Sequence, residues 1–226
     1  MSRTPRPPET TRSEHWLRLL INKRPDILNS RLRELYPWAH TEEITWISPI
    51  ESDDYAEYRD DAFLNLLGIA SPSLPLTSFW PTGGPRWDGL GRTSTAKPLL
   101  IEAKAYIEEM VSTPTSASEP SLSIIQSSLR EVQQFLRATP PHDWSVLFYQ
   151  YANRLAHLYY LRERNGIDAY LIQVYFVGAP DVEQPSTASE WRAALRVLKR
   201  CLGIHNHRLS PYVAEVFIDV SELNAA

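Results

Sequence analysis

The chain has 226 residues, of which 43% are hydrophobic and 22% are charged, values typical of a soluble globular protein. This composition excludes wholesale disorder, collagen and a coiled-coil rod, and the net charge of −4 argues weakly against a general polyanion binder. A single cysteine, Cys201, cannot form an internal disulfide or a cysteine-based zinc site, so we expect a reducing, cytoplasmic location.

Residues 1–12 are rich in proline, threonine and arginine, and we predict that they form a disordered arm. The first eight residues lack the apolar core of a signal peptide, and no apolar run approaches the roughly 18 residues that cross a bilayer. We therefore expect one domain over 13–226 and no membrane partner.

Hydrophobic periodicity, capping residues and turn residues predict alternating helices and strands after this arm. In the first half we predict a helix over 13–36 that breaks at Pro25, a strand or extended linker over 44–48, a helix from Asp53 to Gly68, and two extended runs over 77–80 and 86–90 joined as a hairpin. There follow a strand over 99–105, a loop over 112–121, helices over 121–137 and 143–164, a strand over 169–178, a helix over 187–203 with a capping box, and a strand over 213–220. This order predicts an α/β fold, with helices on both faces of a mixed β-sheet.

The most informative charged residues lie on two consecutive predicted strands. Asp88 lies in the run 86–90, and Glu102 and Lys104 follow it in the apolar run 99–105. Alternate residues of a strand share a face, so Glu102 and Lys104 point the same way. Because charges in an apolar strand are costly to bury without partners, we expect them at a strand end that faces a polar cleft, within reach of Asp88.

Two carboxylates beside a lysine suit a hard cation. Mg²⁺ prefers oxygen ligands and typically takes one or two carboxylates together with substrate phosphate. A nearby lysine can orient a water molecule or help to deprotonate it, while the cation stabilises charge on a phosphoryl group. We therefore predict a Mg²⁺ site at Asp88 and Glu102, with Mn²⁺ able to substitute, and a water-positioning role for Lys104.

At these residues the chain resembles the PD-(D/E)XK nuclease superfamily, whose motif is an Asp on one strand and (Asp/Glu)-x-Lys on the next. Asp88 matches the first position, and Glu102 and Lys104 match the second, although Trp87 stands where the motif has proline. The resemblance covers about 53–178 and implies a restriction-endonuclease-like fold. It also implies metal-dependent hydrolysis of phosphodiester bonds in nucleic acid, DNA more than RNA. Nuclease folds of this type often act as a homodimer or in a larger complex, and we carry that expectation over to this chain.

The resemblance suggests further site residues. The superfamily often has an acidic residue on the helix before the first strand, and Glu57 is our choice, with Asp60 and Asp61 as rivals. Many members also have a glutamine motif on a later helix, where this chain has Gln150 and Arg154. We predict that these two support the metal ligands or contact phosphate. The segments 100–106 and 149–156 are similar to a bacterial subfamily.

Other residues have plainer interpretations. We expect the acidic run 51–61 to be mostly a solvated helix start, and His157 to lie on a solvated helix flank. Trp80 and Trp87 are weak candidates for stacking on a base, and His205 and His207 are expected in an exposed loop. The basic residues available to follow a nucleic-acid backbone are Arg86, Arg92, Lys97, Arg130 and Arg154.

Two alternatives to a nuclease remain open from the sequence. One is a catalytically inactive nuclease-like scaffold that binds nucleic acid within a larger complex. The other is a protein-interaction module without nucleic-acid affinity, which the mild acidity favours. A plainer interpretation of Glu102 and Lys104 is a simple ion pair on a one-sided sheet.

Overall fold

The computed structural model describes residues 2–7 and 9–224. Its strands are β1 (Arg3–Thr4), β2 (Ile44–Ser48), β3 (Glu57–Tyr58), β4 (Gly89–Thr93), β5 (Pro98–Lys104), β6 (Tyr170–Val177) and β7 (Val213–Asp219). Its helices are α1 (Arg12–Asn22), α2 (Pro25–Leu35), α3 (Asp61–Leu66), α4 (Ser121–Leu136), α5 (Tyr149–Tyr159), α6 (Ala188–Cys201) and α7 (Ser221–Asn224). No helix in these described ranges has the length and apolar character that a bilayer crossing requires.

A five-stranded mixed sheet, in the order β2-β4-β5-β6-β7, forms the centre of the molecule. Strand β4 runs antiparallel to both β2 and β5, whereas β5, β6 and β7 are parallel. The helices α4 and α5 lie between β5 and β6 in the chain, and α6 lies between β6 and β7, because parallel neighbours need long crossover connections.

Two hydrophobic cores cover the two faces of this sheet. Leu100 and Leu171 belong to the core that α3, α4, α5 and α6 complete, whereas Ile101 and Ile172 belong to the core that α1 and α2 complete. Both faces of the central strands are therefore buried, which explains their nearly continuous apolar sequence. The predicted mixed sheet with helices on both faces is confirmed.

Most of the predicted elements are found within a few residues of their expected bounds. The helix break at Pro25 separates α1 from α2, and the predicted strands over 44–48, 99–105, 169–178 and 213–220 are β2, β5, β6 and β7. The Thr187–Glu190 capping box is formed in full at the start of α6. These elements were predictable because their periodicity and caps are local properties of the sequence.

The predicted helix from Asp53 is wrong over its first two turns. Residues 51–53 form a 3₁₀ turn, Glu57 and Tyr58 form β3, and α3 begins only at Asp61. Asp54 and Asp60 have positive φ values, which an α-helix does not accommodate. Because β3 pairs with β1, tertiary pairing overrides the local helical preference, and Glu57 lies on a strand rather than a helix.

Two other boundaries differ from the prediction. The run 77–80 forms no strand, and Leu76–Ser78 is a 3₁₀ turn, so the hairpin partner of β4 is β5. The helix expected from Asp143 begins at Tyr149 because the Asp143 carboxylate accepts the Ser145 backbone N–H at 2.7 Å and caps a separate turn. At its other end, α5 continues as a π-helical turn over Tyr160–Arg164.

The N-terminal segment differs from the disordered arm expected. Strand β1 pairs antiparallel with β3, and Arg3 forms an ion pair with Asp53 at 2.8 Å. Arg6 contacts Glu57 at 2.6 Å. The acidic run 51–61 is therefore not simply a solvated helix start, because several of its carboxylates are partners of the arginine-rich segment.

Candidate active site

A cleft of about 820 Å³ opens at the end of the sheet where β4 begins and β5 ends. The segments 80–86 and 112–118 line it, together with residues from the first half of α5. The charged side chains that line its interior are Arg6, Glu57, Asp88, Glu102, Lys104, Glu109 and Arg154. The cleft thus contains all four residues predicted as catalytic.

Asp88 and Glu102 lie side by side in this cleft. The register of the β4–β5 hairpin pairs Gly89 with Ile101, so one further step places Asp88 opposite Glu102. Opposed residues of antiparallel strands share a face, with Cβ atoms about 5 Å apart. Asp88 is held there because its Oδ2 accepts the backbone N–H of Ala103 at 2.8 Å. The expected convergence of the two carboxylates is present.

Two cations hold the Glu102 carboxylate. Lys104 Nζ donates to Oε1 at 2.5 Å, and the Nε and Nη2 atoms of Arg154 both contact Oε2. Burial, which leaves Glu102 only 3% exposed, would raise its pKa, but Arg154 and Lys104 outweigh burial and hold the pKa below its ordinary value. Glu102 is therefore a carboxylate at neutral pH.

Arg154 supports Glu102 in this structure, which was one of the two roles expected of it. Its Nη2 also donates to the Arg86 carbonyl oxygen at 2.6 Å, and its guanidinium lies 4.7 Å from the centroid of the Trp87 ring. The side chain is 5% exposed. Because these contacts use most of its N–H donors, Arg154 positions Glu102 and has no free pair of donors for a phosphate group.

Asp88 differs from Glu102 because it lacks a counter-charge. Among the described residues, no lysine, arginine or histidine nitrogen lies within 4.0 Å of its carboxylate. Burial and the neighbouring charge of Glu102 raise the pKa of Asp88 to about 8. Unlike Glu102, Asp88 is therefore largely protonated at neutral pH when no cation is bound.

Lys104 remains charged between these carboxylates. Burial alone would lower the pKa of its ammonium, but Glu102 and Asp88 raise that pKa above the ordinary value. Its side chain is 13% exposed and lines the cleft. Lys104 is thus suited to donating hydrogen bonds and not to accepting a proton.

Of the three rival acidic residues, Glu57 is the one that lines the cleft. It is buried on β3 and contacts Arg6. Asp60 instead accepts hydrogen bonds from the backbone N–H groups of Gly83 and Gly84, at 3.1 and 3.0 Å. It thereby fixes the segment 80–86, which lines the cleft. Asp61 is exposed at the start of α3.

Sequence reasoning missed two charged residues of the cleft, Arg6 and Glu109. Glu109 accepts the backbone N–H of Ala105 at 2.7 Å, just beyond the end of β5, and burial raises its pKa. Because Glu109 lies only five residues after Lys104, the sequence could have indicated that it is near the site. The opposite charges of Arg6 and the acidic run 51–61 could have indicated that these two segments pair.

The prediction that His157 lies on a solvated flank is wrong. It is 1% exposed and its ring lies 5.0 Å from that of Trp80 and 6.0 Å from that of Trp87. Burial lowers the pKa of His157 to about 3. Because Trp80 and Trp87 are themselves buried, neither is available to stack on a base.

The remaining predicted residues are dispersed. Gln150 lines the cleft, and its backbone N–H donates to Ser112 Oγ at 3.0 Å. Arg86 is exposed on the cleft wall, whereas Lys97 forms an ion pair with Glu42 outside the cleft. The other predicted surface residues, whose exposure ranges from partial to full, are Arg92, Arg130, His205 and His207.

The oxygen donors brought together at the centre of the cleft are the carboxyl groups of Asp88 and Glu102. Within 2–7 and 9–224, no group of three or more His, Cys, Asp or Glu side chains is arranged to hold a metal ion. Two carboxyl groups are a donor set of the kind that Mg²⁺ uses together with waters and substrate oxygens.

No family model, curated protein or solved structure matches the chain. The geometry and charges of the cleft are therefore the guide to its function.

Proposed function

We propose that the chain is a divalent-cation-dependent nuclease of restriction-endonuclease-like fold that hydrolyses phosphodiester bonds in nucleic acid, preferably DNA. One observation carries most of the support: Asp88 and Glu102 lie opposite each other at the mouth of a hairpin, and Lys104 contacts Glu102 in the same cleft. The preference for DNA rests on the resemblance of Asp88 and Glu102-Ala-Lys104 to the PD-(D/E)XK motif.

Asp88 and Glu102 would hold the cation, Mg²⁺ or Mn²⁺. When bound, such a cation stabilises the negative charge that develops on the phosphoryl group. Each carboxylate oxygen has about two lone-pair sites, and Arg154 contacts Oε2 twice whereas Lys104 contacts Oε1 once, so Oε1 of Glu102 keeps a site for a further ligand. Asp88, whose pKa burial and Glu102 raise to about 8, would lose its proton when a cation binds and so supply the second carboxylate.

The other cleft residues position these groups. Lys104 donates hydrogen bonds to the attacking water or to a phosphoryl oxygen, because it stays protonated beside Glu102 and Asp88. Arg154 fixes one oxygen of Glu102 from α5. Glu57, held by Arg6, adds a third carboxylate at the edge of the site.

Plasmid nicking tests this proposal. We expect cleavage with Mg²⁺ or Mn²⁺, none with a chelator, and a loss of about 100-fold or more in Lys104→Ala, the usual cost of removing one positioned donor. Lys97→Ala is the matched control, because Lys97 pairs with Glu42 outside the cleft. Undiminished cleavage by Lys104→Ala would remove the mechanism.

A catalytically inactive nucleic-acid-binding module is the second candidate. It is favoured by the pairing of both Glu102 oxygens with cations of the chain itself, an arrangement that also suits a purely structural ion-pair network. This candidate predicts DNA binding that weakens steeply with salt and no cation-dependent cleavage. A gel-shift titration at two salt concentrations separates it from a protein-interaction module, which does not bind DNA at either concentration.

A further inference from the structure

The solvent-facing side of α6 carries a row of arginines. Arg192, Arg196 and Arg200 are all exposed and follow one another at intervals of four residues. That interval places them on one side of the helix, about 6 Å apart along its axis. We call these three residues the α6 stripe.

The α6 stripe has no counter-charge within the chain. The sequence from 191 to 214 contains no aspartate or glutamate. Among the described residues, no carboxylate lies within 4.0 Å of Arg192, Arg196 or Arg200, although Lys199 on the same helix pairs with Glu215 at 2.6 Å. The guanidinium groups of the stripe therefore keep donors for an external anion.

A second copy of this chain is poorly suited to supply that anion through its most acidic segment, 51–61. Between 51 and 61 the carboxylates of Asp53, Glu57 and Asp60 already have partners in Arg3, Arg6 and Arg59. Because these charges are compensated within one molecule, they are poorly suited to pairing with the stripe of another. The geometry favours an anion that belongs to a different molecule.

Arg192, the first residue of the α6 stripe, packs against β7, two strands away from Lys104 in the cleft. Arg192 lies with its guanidinium 5.0 Å from the centroid of the Phe217 ring, and Phe217 is in register with Tyr175, which is in register with Lys104. Two strand spacings amount to about 10 Å. The side chains of all three strand residues belong to the sheet face that α5 and α6 cover.

We propose that the α6 stripe binds the phosphate backbone of the nucleic acid that the cleft acts on. Arginine suits this ligand because its planar fork donates paired hydrogen bonds to phosphate oxygens. The nature of the ligand rests on the proposed function, but binding by the stripe requires no hydrolysis. The protein would then hold DNA at two places, at the cleft and along α6.

Fluorescence anisotropy tests the stripe with the full chain, a labelled DNA duplex of about 30 base pairs and a chelator that prevents cleavage. Affinity is measured over a salt series for the wild type and for R192Q/R196Q/R200Q. We expect the slope of log Kd against log salt to fall by about 2 to 3, near 0.9 for each lost phosphate contact. The conservative variant R192K/R196K/R200K should retain the slope, and thermal melting should show that both variants fold.

The matched control is K23Q/R31Q/R33Q, which removes the same charge from α2 and from the residue that follows α1, on the opposite face of the sheet. An equal loss of binding in the control, which would reveal an effect of net charge alone, overturns the inference. So does a wild type that binds anionic vesicles but not DNA. If binding depends on the stripe but no cleavage occurs, only the proposed hydrolase function is contradicted. If cleavage is normal and the stripe substitutions do not change binding, only this inference is contradicted.

Discussion

In the cleft, Glu102 contacts Lys104 and Arg154, and Glu57 contacts Arg6, whereas Arg192 and Arg196 on α6 contact no carboxylate of the described chain. The two regions differ in burial. A buried charge without a partner costs several kcal/mol, so cleft residues need partners from within the fold. An exposed charge costs little to leave unpaired, so α6 can keep its arginines for a ligand.

Asp88 and Glu109 differ from the other acidic residues of the cleft, because among the described residues no cationic side chain lies within 4.0 Å of either carboxyl group. Burial raises both pKa values, that of Asp88 to about 8, so Asp88 is largely protonated at neutral pH when no cation is near. The comparison thus separates charged residues that pair within the fold from groups left for a ligand. In the proposed function Asp88 loses its proton when a cation binds, whereas the α6 stripe is already charged and binds an anion.

The largest expected effect follows from removing a cleft partner. Arg154→Ala leaves Glu102 buried with one cation fewer, and loss of one member of a buried pair typically costs about 3–5 kcal/mol in the free energy of unfolding. Urea denaturation measures this loss. Arg86→Ala is the control, because that side chain is exposed and only its backbone carbonyl contacts Arg154. A cost below about 1 kcal/mol for Arg154→Ala would show that this pair is not essential to the cleft.

A smaller effect is expected from a change of one pH unit, through His157. Its pKa is about 3 in the folded protein, below the ordinary value of 6.5, so the unfolded chain binds a proton that the folded protein excludes. Stability is therefore fully present above about pH 6.5 and is lost as pH falls toward 3, by up to about 1.4 kcal/mol per pH unit. The raised pKa of Asp88 acts in the opposite direction, so the histidine is isolated by the difference in unfolding free energy between the wild type and His157→Gln. That difference should change with this slope as pH falls from 6.5 to 4.

His205 provides the control for this pH effect, because it is exposed in the loop that follows α6. His205→Gln should keep the wild-type slope between pH 6.5 and 4. If His157→Gln also keeps it, the histidine is accessible to protons in the folded state. The contrast between buried and exposed histidines would then be wrong.

The smallest effect is expected on α6. Arg196→Gln should change the free energy of unfolding by less than about 0.5 kcal/mol, since exposed side chains without specific contacts rarely contribute more. Urea denaturation again provides the measurement. A loss above about 1 kcal/mol would indicate that the stripe stabilises the fold rather than presenting a surface to a ligand.

The centre of the cleft was predictable because its geometry is local. Glu102 and Lys104 alternate along one strand, and Asp88 lies opposite Glu102 because β4 and β5 form a hairpin across only a few residues. The fold class followed in the same way from elements with strong periodicity. These features depend on residues close together in the sequence.

The features that were missed depend on distant pairing. The segment 53–60 has helical preference, but Glu57 and Tyr58 form a strand because they pair with β1, which lies more than 50 residues earlier in the sequence. The burial of His157 depends on Trp80 and Trp87, which lie on a different part of the chain. No periodicity in the sequence encodes such contacts.

Binding of Mn²⁺, followed by electron paramagnetic resonance, tests the cation site most directly. We expect the wild type to take up about one ion, and we expect Asp88→Asn and Glu102→Gln each to abolish uptake, because the two carboxylates hold the ion together. Glu109→Gln, which changes another buried carboxylate of the same cleft, should retain it. Equal Mn²⁺ uptake in all four proteins would contradict a cation site between Asp88 and Glu102.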